Sequence, residues 1–205
     1  SVRVGSASRF KRDTRPLRAS HPTLVAASRA IIEQRDAMVS RWITWLGDRA
    51  TWTSATSREA VEVEFALILD VFGAMVGPLR REVRPLWTRV TERYGRHAAA
   101  RGLAAGEVVE ELQYLRELLI RYLAPAIAAL RPRQGMALLL RLNRLVDKGV
   151  AHAVVGYTDT MVATLIPGPD GDGADSVPDA DRLGSVSALR RELEEIVKPF
   201  ARVEA

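Results

Sequence analysis

Apolar residues recur at helical spacing through most of this chain. Between Leu24 and Ile166 they stand three or four positions apart in each segment, which places them on one side of a helix. No segment alternates apolar and polar residues as a half-buried strand does. We therefore predict an all-α fold, a helical bundle of about five main helices with a C-terminal linker and a short final helix. A globin-like arrangement of the main helices is one alternative.

Proline and glycine residues divide the apolar region into segments. Pro22 suits a first helical position, Gly77-Pro78 should end a helix, and Gly102 suits a helix C-terminal cap. Pro125 is expected to kink the helix that contains it. The predicted main helices cover residues 24–47, 57–79, 80–101, 105–130 and 134–166.

The two ends of the chain differ in composition from its middle. Residues 1–20 hold six basic residues and one acidic residue, which accounts for the whole net charge of +5. We predict a basic flexible arm over 1–21, a helical domain over 22–166, a Gly/Pro/Asp linker over 167–181 and an interaction helix over 182–205. The arm could bind nucleic acid or an anionic membrane surface, but it has few aromatic residues, which favours a solvated tail and makes nucleic acid an unlikely partner.

Several functional classes lack their sequence signatures here. The chain has no cysteine, which excludes thiolate metal sites and cysteine nucleophiles. Charged residues interrupt every apolar run before the roughly 18 to 20 residues of a transmembrane helix, and no signal peptide opens the sequence. Phosphate-binding loops, zinc-protease motifs and nucleophile elbows are also missing. We expect a cytoplasmic protein that is not an enzyme and carries no resident metal.

Charged residues occupy the apolar stripes of two successive predicted helices. His97 and Arg101 end the stripe of the third main helix, and Arg116 lies in the middle of the stripe of the fourth. A buried charge is costly unless it is paired. We predict a polar network in which Glu107 and Glu111 neutralise these groups, with Arg116 buried and paired to one of them or to a neighbouring helix. A structural ion network and a signal-reading site are both consistent with this pattern.

The same stretch resembles the N-terminal domain of the RsbT co-antagonist (RsbRD-type) proteins. The shared pattern is a His, an Arg four residues later, a Gly, and a Glu-rich turn that leads into Leu-Arg. The match covers roughly residues 24–165. The residues that carry it are His97, Arg101, Gly102, Glu107, Glu111, Leu115 and Arg116.

This resemblance implies a non-catalytic input domain of bacterial stress-signalling proteins or of sensor histidine kinases. A stress signal or ligand would shift the packing of the bundle, and the final helix would transmit that shift to a kinase or a stressosome-type output. Such domains act through symmetric helix pairs, so we expect a homodimer.

Two further kinds of site are consistent with the sequence: a haem or small-molecule site and an aromatic surface. His97 could ligate haem iron, which would make the chain a haem- or small-molecule-binding globin-like sensor. Trp42, Trp45 and Trp52 could line an apolar pocket or a dimer surface, although core packing is the more common use of such a cluster.

Overall fold

The computed structural model describes residues 18–49, 58–165 and 179–201. These ranges form helices and their connections, without any strand, so the predicted all-α class is confirmed. The helices are α1 (His21–Glu33), α2 (Arg35–Gly47), α3 (Arg58–Val76), α4 (Arg80–Ala100), α5 (Ala105–Ala128), α6 (Pro132–Leu165) and α7 (Asp179–Ala201).

The first predicted helix, over 24–47, is interrupted in the structure. Gln34 leaves helical geometry, with φ −94° and ψ 2°, and separates α1 from α2. The Gln34 N–H donates to the Ala30 carbonyl at 3.1 Å and the Met38 N–H to the Gln34 carbonyl at 3.0 Å, so helical hydrogen bonds stand on both sides of the break. No proline or glycine marks this position. Both α1 and α2 pack against α3 and α5.

Gly102 ends α4 as the sequence predicts. Its φ of +81° is the left-handed conformation that favours glycine. The Leu103 N–H donates to the Ala98 carbonyl and the Gly102 N–H to the Ala99 carbonyl, which is the hydrogen-bond pattern of a Schellman cap. This tight turn leads directly into α5, so the end of α4 and the start of α5 lie side by side.

Helices α4 and α6 pack backbone to backbone. A Cβ atom at Gly95 would lie 1.8 Å from the Ala153 carbonyl oxygen, and one at Gly156 would lie 1.9 Å from the Glu92 carbonyl oxygen. Neither position can hold a larger residue unless the helices separate. The two glycines therefore fix α4 against α6.

Helix α7 packs on the bundle against α3 and α4. Val186 and Leu193 are buried in this contact. The helix begins at Asp179, before the predicted end of the linker at 181, so the linker prediction is too long at this side. The rest of the predicted linker, 167–178, and the arm up to residue 17 lie outside the described residues. None of the helices in the described ranges combines the length and apolar character needed to cross a bilayer.

Candidate functional site

Glu111 on α5 is the centre of a buried hydrogen-bonded cluster. The residue is 1% exposed. Its carboxylate accepts two hydrogen bonds from the Arg101 guanidinium, at 2.7 and 3.3 Å, and one from the Tyr94 hydroxyl. The Schellman turn brings these groups together, because Arg101 is the last residue before the turn. The predicted pairing of Glu111 with an arginine of the preceding helix is present.

A second buried carboxylate, Glu64 on α3, lies beside α4. Its Oε1 is 2.9 Å from His97 Nδ1 and 3.6 Å from Arg93 Nη1. Burial raises the pKa of Glu64, but the hydrogen bond and charge of His97, with the charges of Arg93 and Arg101, more than offset this and hold the pKa below its usual value. Glu64 is therefore an anion at neutral pH.

The two carboxylates share one electrostatic environment. Burial alone would lower the pKa of Arg101, but Tyr94, Glu111 and Glu64 raise it above the ordinary value, so this guanidinium stays charged. Burial and the neighbouring Glu111 raise the pKa of Tyr94 well above its ordinary value, so its hydroxyl remains a donor. We call these residues the buried network: Glu64, Arg93, Tyr94, His97, Arg101 and Glu111.

Two of the predicted members lie elsewhere. The Glu107 carboxylate accepts a hydrogen bond from the Ala104 N–H at 2.7 Å, which caps the start of α5. Arg116 pairs with Asp147 on α6, one of the alternatives predicted for it. Its side chain is 26% exposed and that of Asp147 is 62% exposed, so the expectation of a buried pair is wrong. The long arginine side chain leaves the apolar stripe of α5 and reaches the surface.

Three participants did not figure in the sequence prediction: Glu64, Arg93 and Tyr94 in its polar role. The position of Glu64 in the sequence could have indicated that it is buried. Glu64 stands three residues after Val61 and four before Ile68, both of which are buried. A carboxylate at an inward position of a helix is the same anomaly that marked His97 and Arg101.

The predicted tryptophan cluster is divided. Trp42 is fully buried and stacks on Phe65, with ring centroids 3.6 Å apart, which is core packing. Trp45 is half-buried, stacks on Tyr114 at 4.3 Å and has the Arg49 guanidinium over its ring. Trp52 lies outside the described residues. The described members therefore do not form one common pocket wall.

The buried network holds two carboxylates and the cationic groups that pair with them. Within residues 18–49, 58–165 and 179–201, no group of three or more His, Asp or Glu side chains could hold a metal ion. The His97 ring uses Nδ1 to contact Glu64. A haem ligand at this position would have to use Nε2, with Glu64 orienting the ring from behind.

Comparisons with protein-family models, with curated proteins and with solved structures found no significant match to this chain.

Proposed function

We propose that this chain is a non-catalytic bacterial signal-input domain whose buried network controls the position of α7. One observation carries the proposal: α3 and α4, which hold most of the buried charges, are also the helices on which α7 packs. The RsbRD-type resemblance of residues 97–116 supports the same class. The output would be a kinase or a stressosome-type assembly joined to, or bound by, the C-terminal helix.

Two polar contacts connect α7 with these helices. On α4, Arg89 pairs with Glu192 of α7. On α3, Asp70 lies 3.7 Å from Arg190 of α7, and also pairs with Arg35. A shift of α3 or α4 that follows a change in the network would alter both contacts. Because helix packing is discrete rather than continuously deformable, such a shift can have two defined end states.

A double-mutant cycle tests whether the network and α7 are energetically coupled. Glu64→Gln removes the network carboxylate, Glu192→Gln removes the α7 contact, and the double variant combines them. We expect the two changes in the free energy of unfolding to differ from additivity by more than about 0.5 kcal/mol, although the residues do not touch. The control cycle combines Glu64→Gln with Glu110→Gln, because Glu110 is an exposed carboxylate on α5. Additive values in both cycles would remove the proposal.

We further propose that the working unit is a homodimer formed through the end of α6. This 34-residue helix is the longest of the described ones and exposes large apolar side chains in its last turns. They are Val155, Met161, Val162 and Leu165. Val155 and Val162 stand seven residues apart and Leu165 follows Val162 by three, which are spacings of a helix-pairing seam.

A small-molecule sensor is the second candidate function, and a groove beneath α7 favours it. The groove has a volume of about 680 Å³ between α1, α3 and α7. Apolar residues such as Val25, Ile32 and Leu193 form much of its wall. An occupant would press on α7 directly. An absorption spectrum detects haem, and native mass spectrometry detects other bound molecules. If protein purified from its native cells shows only the mass of the chain, with no bound molecule, this candidate is wrong.

A further inference from the structure

Two adjoining pockets between the start of α4 and the middle of α6 have an exclusively basic charged lining. The smaller measures about 220 Å³ and the larger about 500 Å³, and Arg80 borders both. Among the described residues, no carboxylate lines either pocket. The basic lining residues are Arg18, Arg80, Arg84, Arg141, Arg144 and Lys148, with His152 beside them.

The basic residues of these pockets differ from several other cations of the described residues. Elsewhere in the described residues, arginines on several helices pair with carboxylates, as in Arg49–Glu110, Arg89–Glu192 and Arg116–Asp147. None of the six basic residues of the pockets pairs with a carboxylate in the described part of the chain. Cations held together without counter-charge repel one another, and that repulsion is relieved when an anion binds.

Arg141 shows the repulsion most clearly. Its guanidinium is held in place by hydrogen bonds to the carbonyls of Met75 and Gly77, at 3.3 and 3.1 Å, at the end of α3. Burial and the charge of Arg80 lower its pKa below the ordinary arginine value. Its Nε is buried without a hydrogen-bond acceptor. The positive charge therefore remains fixed at the larger pocket in spite of its cost.

A residue of the smaller pocket carries an unpaired neutral donor. Trp87 lines it, is 1% exposed, and has an indole Nε1–H without an acceptor. A buried donor without a partner is uncommon and costs free energy. Helix α4 also begins here without a side-chain cap, so the positive end of its dipole points toward the same region.

We propose that these joined pockets bind a small, multiply charged phosphate compound, of the class of linear polyphosphates and polyphosphorylated nucleotides. Phosphate oxygens would accept from the guanidinium groups, from Lys148 and from the indole N–H, and one phosphate chain could extend past Arg80 from one pocket to the other. The concave shape and limited volume favour a small molecule over a nucleic acid duplex, which needs an extended surface. This site is separate from the buried network, so it does not depend on the proposed signalling role.

Calorimetric titration of the full chain with sodium tripolyphosphate at low salt tests the proposal. We expect saturable binding that weakens as salt is raised, accompanied by a change in tryptophan fluorescence. Arg144→Ala and Lys148→Ala replace exposed side chains, so the fold should persist, and each should weaken binding about tenfold. Arg41→Ala on α2 and Arg12→Ala in the amino-terminal segment are the matched controls and should leave the affinity unchanged.

Three results would overturn the proposal. Absence of binding at low salt is the first. Equal losses in the Arg41→Ala or Arg12→Ala controls and in the pocket variants would indicate general charge attraction. Tight binding of a 20-base-pair DNA duplex that tripolyphosphate cannot displace would assign this face to nucleic acid instead.

Discussion

The Arg101 guanidinium lies 2.7 Å from the Glu111 carboxylate, and both side chains are more than nine-tenths buried. Each charge stabilises the other in the water-free interior, because either one alone would be buried without solvation or a counter-charge. The turn at Gly102 places them within reach, since Arg101 directly follows α4 and Glu111 lies in α5. The pair therefore joins the end of α4 to the first half of α5.

Glu111→Gln should destabilise the fold by about 3 to 5 kcal/mol, because it leaves the charge of Arg101 buried without a counter-charge. Urea denaturation followed by circular dichroism measures this. The neighbouring Glu110 pairs with Arg49 at the surface and is the matched control, with an expected cost for Glu110→Gln of about 0 to 1 kcal/mol. Equal losses in the two variants would mean that burial does not determine the strength of these pairs.

Arg116→Ala should cost only about 0 to 1 kcal/mol, since its pairing with Asp147 is exposed to water. The position of Arg116 on the apolar stripe suggests a buried arginine, and removing a buried arginine would cost much more. The same denaturation experiment separates the two cases. A loss above about 3 kcal/mol would contradict the solvent-exposed placement of this pair.

Stability should fall on acidification, in part through Glu64. Its pKa in the folded state lies below the unfolded value of about 4.3, so its contribution is present above that pH and is lost as the pH falls through the folded-state pKa. Glu64→Gln should therefore flatten the dependence of unfolding free energy on pH below about 4.3. Denaturation curves between pH 3 and 7 provide the measurement, because the slope of unfolding free energy against pH gives the difference in bound protons between the two states.

Asp70 should contribute to the pH dependence of stability with the opposite sign to Glu64, so the two residues can be compared. Burial raises its pKa, against the lowering effect of Arg35 and Arg190. Its contribution is present below the unfolded pKa and is lost as the pH rises through the folded-state pKa, so Asp70→Asn should steepen the rise of stability with pH. If both variants changed the slope in the same direction, the electrostatic assignment of one carboxylate would be wrong.

Gly95→Ala and Gly156→Ala should each destabilise the protein by about 1 to 3 kcal/mol or more, because the added methyl groups would meet backbone of the opposing helix. Gly106→Ala on α5 is the control, since a Cβ there meets no atom within 4 Å. That substitution should be neutral or stabilising by up to about 1 kcal/mol. Thermal melting of the three variants checks the order; if Gly95→Ala melts like Gly106→Ala, the close approach of α4 and α6 is refuted.

Light scattering tests the dimer. We expect the parent protein to show twice the 22.6 kDa mass of the chain, and Val162→Glu to shift it toward monomer, because a charge would enter the apolar seam. Gln113→Glu, at an exposed position of α5, should leave the mass unchanged. A monomeric parent at high concentration would refute the proposed dimer.

The helices and part of the site could be predicted from sequence because they depend on local patterns. Gly102 and the apolar spacing determine where α4 ends, and Glu111 could be paired with an arginine because the two helices follow each other. The break at Gln34 could not be predicted, since no residue there disfavours a helix. Glu64 was missed because its partners stand on α4, 29 and more residues away, and nothing in local spacing brings α3 beside His97.

Arg116 shows why stripe position alone misleads. A residue on an apolar stripe has its Cα near the interior, but an arginine side chain is long enough to carry its charge to the surface. Position on the stripe therefore predicted burial wrongly for the charge of this arginine.

The distance between α7 and the bundle is the measurement that tests the central claim most directly. The chain has no cysteine, so spin labels can be attached at Gln113→Cys on α5 and Glu195→Cys on α7, both exposed positions, with unlabelled protein added for dilution. A reference pair joins Gln113→Cys to Asp159→Cys on α6. We expect Glu64→Gln to shift or broaden the pulsed-EPR distance distribution of the α7 pair and to leave the reference pair unchanged. Superimposable α7 distributions with and without Glu64→Gln would contradict the claim that the buried network controls the position of α7.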